Sequence, residues 1–375
     1  MKKKLAIIGA SYLQAPLVFR AKAMGVETHC FAWLKDAFCK DHADYFYPIS
    51  ILDKEEIFKK CFDLKIDGIT SIATDMAVPT MSYVGQKMKL ISNSNYSAER
   101  STNKLLMRKT FQEHNVPSPL FVELEDGLVS VEKVGEKLKF PMIVKPVDRS
   151  GSNGVRKVNE DSELNEAVSQ AIEVSFSNQC IVEEYIEGDE YSVETISWKG
   201  NHQLLAITEK VTTGVPNFVE IAHHQPAILP SSLFENIKNL TFQALTALDI
   251  QFGAAHTEIK VNYNEEVYFI EVGARMGGDF IGSDLVSIST EYDYVKGVID
   301  IALNQFDQDV HLVNKNYCGV YFLSQETGHL KPFFEKKNSF DYRKEILNDD
   351  LKKLTSSNDR SGYLIYKLDK KLNLL

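Results

Sequence analysis

Short apolar runs alternate with amphipathic stretches over the first part of the chain. The run at 4–9 (KLAIIG) is typical of a buried parallel strand, and a helical stretch from about 14 to 24 follows it. The alternation continues, and it predicts strands at 26–33, 67–72 and 89–93 and helices at 53–64 and 83–88. Strands and helices in this order form βαβ units around a parallel sheet, so we interpret residues 1–95 as a Rossmann-like domain.

The pattern becomes more varied after residue 95. It predicts helices at 101–114, 130–139, 161–174, 231–248 and 292–303, the first of them capped by Ser101, Thr102 or Asn103. The stretch 179–198 contains two strand-like pieces around Gly188, a polar loop covers 209–218, and 254–272 forms a hairpin that turns at 262–265. Residues 315–375 indicate a small α+β tail, so the chain combines α/β and α+β patterns.

Length and composition restrict the class of protein. A chain of 375 residues is long enough for two or three domains, and 44% hydrophobic with 25% charged residues is typical of a globular protein. The net charge is −10 and no long basic run occurs, which makes nucleic acid an unfavourable partner. No apolar run approaches the ~20 residues of a membrane span, and the run after MKKK is too short for a secretory signal.

The five cysteines indicate a reducing compartment. They are odd in number, scattered and without a CxxC pair, so we expect free thiols in a cytoplasmic protein. They are Cys30, Cys39, Cys61, Cys180 and Cys318.

A lysine followed by a loop of small residues is the most informative motif. In FPMIVKPVDRSGSNGV a predicted strand ends at Lys145, and Ser150, Gly151, Ser152 and Gly154 lie in the loop after it. Small residues let backbone N–H groups approach phosphate oxygens, and the lysine adds a positive charge beside them. The order of residues is not that of a Walker A motif, so another architecture must place this loop over a nucleoside triphosphate.

Carboxylates occur at two further places that suit a nucleotide. Glu183 and Glu190 flank Gly188, so the turn would put one near the base amino group and the other near the ribose hydroxyls, unless both are solvated strand residues. Glu258 and Glu271 lie on the two strands of the hairpin and would be cross-strand neighbours. Two adjacent carboxylates repel unless a cation separates them, which favours Mg²⁺ bound to phosphates, the alternative being exposed acids on an ordinary hairpin.

Two neighbouring features complete the pattern. Arg275 follows Glu271 in a glycine-rich turn (273–278), where its guanidinium is suited to a phosphoryl group in transfer. The first strand-to-helix turn, at 9–14, lacks glycine at positions 11 and 14, so we interpret it as a structural turn instead of a dinucleotide site.

Together these motifs resemble the ATP-grasp superfamily over roughly residues 1–310. The resemblance implies ATP with Mg²⁺, or Mn²⁺ in its place, and it divides the chain at 1–95 (pre-grasp domain), 96–310 (ATP-grasp domain, with a lid at about 117–190 and a large subdomain at 191–310) and 311–375 (tail). It implies roles for residues that match the family pattern. These are Lys104 and Lys145 for phosphates, 149–154 for the mobile loop, backbone groups of Glu184 and Ile186 for adenine, Glu190 for ribose, Glu258 and Glu271 for Mg²⁺, and Arg275 for an acyl phosphate.

This chain departs from the family pattern at two positions. Asn103 stands where an aspartate usually precedes the first lysine, which we regard as minor. Gly273 stands where the family usually has an asparagine that completes one Mg²⁺ shell. We therefore expect the second metal to be held by water or to bind more weakly.

The implied activity is an ATP-dependent ligase. Such an enzyme activates a carboxylate as an acyl phosphate and joins it to an amine, releasing ADP and phosphate. The strings PVDRSGSNGV, GAAHTEIKV and EVGARMGGDF are most similar to the branch that contains L-amino acid ligases, which favours an amino acid as the amine. The alternatives are a bicarbonate- or formate-using enzyme of the purine or carbamoyl-phosphate type, and an ATP-binding sensor without turnover.

The substrates are expected between the loop after Thr208 and the glycine-rich turn. Candidate contacts for the small-molecule substrates are Lys210, Glu220, His223, His224, Gly277 and Gly278. His223 or His224 would bind a carboxylate or accept an amine proton, although a surface or packed histidine is the simpler interpretation. His256 is either a packed histidine or a hydrogen-bond partner of Glu258. The resemblance also suggests a homodimer formed through the first domain.

Overall fold

The computed structural model describes residues 2–124, 131–313 and 315–375. Its helices are α1 (Ala15–Ala23), α2 (Lys54–Leu64), α3 (Val78–Met88), α4 (Asn95–Thr102), α5 (Lys104–Glu113), α6 (Val131–Lys137), α7 (Asp161–Val174), α8 (Ser231–Ala247), α9 (Val286–Thr290), α10 (Tyr294–Ala302) and α11 (Lys331–Glu335). Its strands are β1 (Lys4–Ile8), β2 (Glu27–Phe31), β3 (Tyr45–Tyr47), β4 (Gly68–Thr70), β5 (Phe121–Glu123), β6 (Met142–Pro146), β7 (Arg156–Val158), β8 (Cys180–Glu184), β9 (Asp189–Trp198), β10 (Asn201–Thr212), β11 (Glu220–Gln225), β12 (Phe252–Val261), β13 (Val267–Gly273), β14 (Tyr317–Leu323), β15 (Asp341–Ile346) and β16 (Gly362–Leu368).

The first sheet is parallel, as the alternating pattern predicts. Its four strands lie in the order β3-β2-β1-β4, which is half of a doubly wound arrangement. Residues Leu5 to Ile8 of β1 are fully buried because helices cover both faces of the sheet. The Rossmann-like prediction for this part of the chain is confirmed.

The predicted strand at 89–93 is wrong. Helix α3 is longer than predicted, and Lys89 ends it in the left-handed conformation (φ 57°). Leu90 and Ile91, the apolar residues that suggested a strand, instead lie in the turn after the helix and pack against the core. The fourth strand of the sheet is instead β3, which the sequence pattern did not reveal.

The first strand-to-helix turn is filled by a side chain of the protein. Gln14 is buried, its amide donates to the Ile72 carbonyl, and its oxygen accepts from the Ser11 N–H. A Cβ atom at Gly9 would lie 3.0 Å from the Gln14 side chain. The turn therefore ties the first domain together at the place where dinucleotide-binding proteins hold a pyrophosphate.

Two antiparallel sheets follow the parallel one. The smaller sheet has the order β5-β8-β6-β7, and the larger one has eight strands in the order β13-β12-β9-β10-β11-β14-β16-β15. The smaller sheet has its own apolar core against α6 and α7, separate from the cores under the larger sheet. Strands β14 to β16, from the predicted tail, continue the larger sheet, while the proposed domain boundaries stay a prediction.

Two other element predictions need correction. The helix predicted at 101–114 is two helices, because Asn103 is extended and its side chain accepts hydrogen bonds from the Leu105 and Leu106 N–H groups as the N-cap of α5. The loop predicted from residue 209 is wrong as far as Thr212, because β10 is paired with β9 on one side and β11 on the other.

The remaining helix predictions are close to the structure. The helix predicted at 130–139 is α6, and residue 130 lies outside the described residues. A π-helical turn at Ile281–Leu285 and helix α9 were not predicted. Among the helices in the described part of the chain, none is long and apolar enough to cross a membrane.

His224 provides a test of this fold. The residue lies on β11, is buried against the tail strand β16, and its Nδ1 is 2.9 Å from the Tyr366 hydroxyl. Burial, with smaller contributions from Lys371 and His223, lowers the pKa of His224 to about 3. Below pH 6.5 the unfolded chain takes up a proton that the folded chain does not, so stability must fall as the pH decreases.

We expect His224→Gln to remove part of this acid sensitivity. Between pH 7 and pH 5 the free energy of unfolding should fall by about 2 kcal/mol less in the variant than in the wild type, because glutamine does not titrate. Urea unfolding at the two pH values measures the difference. Tyr366→Phe is the control, since it removes the hydrogen bond and keeps the imidazole. An unchanged pH dependence in His224→Gln would contradict the assignment.

Candidate active site

A cleft lies between the smaller sheet and the first five strands of the larger sheet. Its empty volume of about 1060 Å³ includes space that is open to solvent. Most of the residues singled out in the sequence line this cleft. They are Lys104, Lys145, Arg149, Ser150, Gly151, Ser152, Glu183, Glu184, Ile186, Glu190, Lys210, Glu220, His256, Glu258, Glu271, Gly273 and Arg275.

Lys145 is held in the wall of the cleft by a buried carboxylate. Its Nζ is 2.6 Å from Oε2 of Glu183, and the Arg108 guanidinium is 2.8 Å from the other oxygen. All three side chains are buried, and Arg108 also donates to the Ile270 carbonyl at 2.7 Å. The carboxylate of Glu183 therefore faces two cations, and its predicted place near the base of a nucleoside stays a prediction.

Burial and charge compete in this group. Burial lowers the pKa of Lys145 although Glu183 opposes the shift. Burial works in the other direction at Glu183, but Arg108 and Lys145 together lower the pKa of this carboxyl below its usual range. Burial disfavours the charged form of Lys145, and the carboxylate of Glu183 partly compensates for the lost contact with water.

Lys104 joins three segments of the chain. It is the first residue of α5, and its backbone N–H donates to the Val147 carbonyl at 2.7 Å. Its Nζ donates to the Arg149 carbonyl at 2.5 Å and to Glu271 at 2.9 Å. The lysine thus lies between the small-residue loop and the acidic hairpin, which the sequence alone placed far apart.

The small-residue loop crosses the cleft in a turn that needs glycine. Gly151, Ser152 and Gly154 all have positive φ values, of 65°, 57° and 76°. Ser150, Gly151 and Ser152 line the cleft, whereas Gly154 does not. A Cβ atom at Gly154 would lie 2.5 Å from the Val174 side chain, so glycine is needed there for packing. Gly154 therefore has a packing role that the sequence interpretation did not distinguish from ligand contact.

The two hairpin carboxylates are directly opposite each other. Glu258 on β12 is in register with Glu271 on β13. Glu258 is 2.8 Å from the Lys210 ammonium, and Glu271 pairs with Lys104. Although burial opposes it, Lys210 and then His256 lower the pKa of Glu258 well below its usual range, so this carboxylate is ionised.

This pair suits a magnesium ion that also binds phosphates. Among the residues that the structure describes, no group of three or more His, Cys, Asp or Glu is placed to hold a metal by itself. Mg²⁺ is typically bound by one or two carboxylates together with substrate phosphates and water. Glu258 and Glu271 match that donor set in number, chemistry and position.

His256 connects Glu258 to a second buried carboxylate. Its Nε2 is 3.4 Å from Glu258, and its Nδ1 forms a hydrogen bond with Glu194, which also accepts from the Gly277 N–H at 3.1 Å. Burial works against the charged form, but Glu194 raises the pKa of His256 to about 9. The histidine is thus a hydrogen-bond partner of the hairpin carboxylate.

Arg275 is paired with a residue of the first domain. Its Nε and Nη2 donate to the two carboxylate oxygens of Asp75 at 2.9 and 2.6 Å. Burial opposes the charge, yet Asp75 raises the pKa of Arg275 above its already high value. The guanidinium remains part of the cleft lining beside Glu271.

The other end of the cleft is more apolar. Ile143, Ile186 and Ile270 line it, as expected for the faces of a purine. The backbone N–H of Glu184 donates to the Leu120 carbonyl at 2.9 Å, so it is already used within the protein. Glu190, the predicted ribose ligand, pairs with Lys260 at 3.1 Å.

The predicted substrate wall divides into two sets. Lys210 and His223 are opposite each other on β10 and β11 and face the same way, and with Glu220 and Gly278 they line a second opening of the cleft. His224 points to the other face of the sheet because side chains alternate along a strand. Gly277 also lies outside these openings, packed against Glu194 and His256.

An arginine from the tail closes this substrate side. Arg360 is 2.8 Å from Asp279 and 3.2 Å from Glu220, and its guanidinium lies 3.7 Å from the centre of the Phe322 ring. Both ring nitrogens of the buried His223 lack a hydrogen-bond partner here. Burial lowers the pKa of His223 to about 4, so its imidazole is neutral at pH 7.

The sequence interpretation missed four charged residues of the site. Each is distant in sequence from the residue it contacts, and none belongs to a local motif. They are Asp75, Arg108, Glu194 and Arg360. A buried charged residue in an otherwise apolar pattern, such as Arg108 within α5, is the one signal that would have indicated a hidden partner.

Known proteins are similar to this chain in sequence and in fold. The ATP-grasp domain family matches residues 138–284. The chain is 27% identical to an alanine–anticapsin ligase of Bacillus subtilis over 307 residues, which is 72% of this chain and 64% of the ligase. The match therefore spans just under two thirds of that relative's length.

Solved structures resemble nearly the whole chain. An L-amino acid ligase from Bacillus licheniformis superimposes with a TM-score of 0.81 at 22% identity, covering 98% of this chain and 94% of that one. A phosphoribosylglycinamide synthetase from Anaerococcus prevotii gives a TM-score of 0.78, also at 22% identity, covering 99% and 95%. The predicted fold, a Rossmann-like sheet followed by an ATP-grasp fold, is confirmed.

The buried ion group makes a prediction about stability. We expect Glu183→Gln to lower the free energy of unfolding by about 3 kcal/mol or more, because it leaves Lys145 and Arg108 buried without a counter-charge. Chemical denaturation measures the change. The matched control is Glu123→Gln on the neighbouring strand β5. Its pair with Lys109 is similar in length, 2.7 Å, but exposed, and its loss should cost less than about 1 kcal/mol. Equal effects of the two substitutions would contradict the assignment.

Proposed function

We propose, from the premise that this chain belongs to the ATP-grasp superfamily, that it is an ATP-dependent carboxylate–amine ligase. In this proposal a carboxylate is activated as an acyl phosphate and joined to the amine of an amino acid, with release of ADP and phosphate. The observation that carries the proposal is the convergence of Lys104, Lys145, Glu258, Glu271 and Arg275 on one cleft from four separate segments.

The first chemical step is phosphoryl transfer. A carboxylate oxygen of the substrate attacks the γ-phosphorus, and the bond to the β-phosphate oxygen breaks so that ADP leaves. Lys104 and Lys145 offset the charge of the phosphates, which lets a second anion approach. The loop at 149–154 covers this region and excludes water, which would hydrolyse the product.

The second step is attack by the amine. Its nitrogen forms a bond to the acyl carbon, the carbon–phosphate oxygen bond breaks, and the nitrogen loses a proton. Arg275 stabilises the negative charge on the tetrahedral oxygen and on the departing phosphate. Glu220 and the neutral His223 are placed to accept hydrogen bonds from an ammonium or amine at the second opening.

Mg²⁺ would be held by Glu258 and Glu271 and would supply positive charge to the phosphate oxygens. Lys210 also pairs with Glu258, and Lys104 pairs with Glu271.

Similarity to amino acid ligases supports an amino acid as one substrate. The alanine–anticapsin ligase joins alanine to anticapsin, as its name states. The side of the cleft with Glu220, Asp279 and Arg360 contains both signs of charge, which suits a zwitterion.

The protein is further proposed to act in the cytoplasm as a homodimer. All five cysteines are free and buried, which suits a reducing compartment. In the first domain Phe19 and Phe38 are each about half exposed and contact the His42 ring from two sides. We expect sedimentation analysis to give a dimer that Phe38→Ser weakens, and a monomer at all concentrations would contradict this assembly.

An assay of ADP release tests the ligase proposal. Purified protein with MgATP should release ADP when supplied with pools of amino acids and small carboxylic acids, and mass spectrometry should identify an amide. Arg275→Ala should lower turnover by at least about 100-fold while MgATP binding is retained, because it removes one stabilising donor. Bicarbonate- or formate-dependent release without an amino acid would favour the purine or carbamoyl-phosphate type. MgATP binding without ADP release in any pool would favour a sensor.

A further inference from the structure

The glycine at position 273 has a structural explanation in the first domain. A Cβ atom built on Gly273 would lie 2.4 Å from Oδ1 of Asp75. That distance is shorter than a real Cβ contact, so the Asp75 carboxylate occupies the space that a side chain at 273 would need. Position 273 is the place where the family usually has an asparagine.

Asp75 is directed to this place by the packing of the first domain. Ile72 forms a parallel bridge with Met276, and the Ala73 N–H donates to the Met276 carbonyl at 3.0 Å. Asp75 lies two residues further on, in a short 3₁₀ turn that precedes α3, and is buried. The end of strand β4 and the glycine-rich turn are thereby joined as one unit.

The contact of Asp75 with Arg275 is bidentate. The carboxylate accepts from Nε and from Nη2, which fixes the plane of the guanidinium. Nη1 makes only a long contact of 3.5 Å with the Met276 carbonyl. The Nη1 edge is therefore the part of Arg275 that remains for a ligand.

We propose that Asp75 takes the place of the missing asparagine and positions Arg275 for the acyl phosphate. The inference deepens the proposed function and rests on it for the identity of the ligand. Asp75 is a positioning residue in this proposal, since it acts through Arg275 and the first domain supplies it. Gly273 is then required, because any side chain there displaces the carboxylate.

The positive charge of Arg275 allows a carboxylate to occupy the place of the neutral asparagine. A carboxylate instead of a neutral amide adds negative charge beside Glu271, which lines the same opening as Asp75. Repulsion between the two carboxylates is offset because Arg275 lies next to both. Asp75 and Arg275 are thus a matched pair, and changing one member alone leaves a buried charge without a partner.

A double-mutant cycle tests the proposal. The variants are Asp75→Ala, Gly273→Asn and the double variant, each compared with the wild type. Either single change should lower the melting temperature by several degrees, on the order of 5 °C, since each removes the buried pair. The double variant should be no less stable than Asp75→Ala alone, because the asparagine enters the space vacated by Asp75 and Arg275 lacks its counter-charge in both.

The turnover number and the binding of an acyl phosphate should depend on the same pair of residues. Asp75→Ala should lower kcat by about 100-fold and leave KM for ATP within about threefold of the wild type, because a displaced guanidinium affects the acyl phosphate and not the nucleotide. The double variant should show about the same kcat as Asp75→Ala, because the two changes remove the same pair. Binding of acetyl phosphate in the presence of MgADP, measured calorimetrically, should weaken in each single variant and no further in the double variant.

Asp67→Ala is the matched control. Asp67 is a partly buried carboxylate of the first domain that accepts from Lys3 and from the Lys4 N–H, away from the cleft. It should lower the melting temperature without changing acetyl phosphate binding. A similar effect of Asp67→Ala and Asp75→Ala on acetyl phosphate binding would show that Asp75 has only a structural role.

The outcomes separate this inference from the ligase proposal. If the wild type shows no turnover with any substrate pool, the ligase proposal fails, while the melting temperatures and acetyl phosphate binding still test the cycle. If the effects of Asp75→Ala and Gly273→Asn on these two quantities simply add, the inference is overturned even when the wild type is an active ligase.

Discussion

The cleft depends on one electrostatic constraint, which is that charge removed from water must face opposite charge. Lys145 faces Glu183, Glu271 faces Lys104, Glu258 faces Lys210, and Arg275 faces Asp75. These pairs fix the positions of the lysines, the arginine and the acids of the site. A magnesium triphosphate, the proposed ligand, carries the same two signs of charge as these pairs.

The pairs also join distant parts of the chain. Lys104 connects helix α5 to the small-residue loop and to the hairpin, while Asp75 and Arg360 bring in the first domain and the tail. The site is therefore shared among all parts of the molecule. The packing supports this arrangement, because one apolar core runs from the parallel sheet through α10 to the back of the larger sheet.

Residues with one apparent role in the sequence have different roles in space. Glu183 and Glu190 are similar acids on either side of a glycine, yet Glu183 is buried between two cations and Glu190 lines the cleft beside Lys260. His223 and His224 are adjacent, but one faces the cleft and the other faces the tail strand. Strand alternation and burial separate them, and neither is visible in local composition.

The sequence by itself determined most of the helices and strands and their order, the ATP-grasp resemblance, and the lysines, acids and arginine of the cleft. Those features depend on short-range patterns, namely hydrophobic period, loop composition and motif spacing. Only the tertiary structure decided that Asp75, Arg108, Glu194 and Arg360 complete the site, and that Gly273 leaves room for a carboxylate. Such pairings join positions that are far apart along the chain. They are stabilised because the charged groups are buried together in the assembled fold, and a local sequence pattern does not show which groups will be buried together.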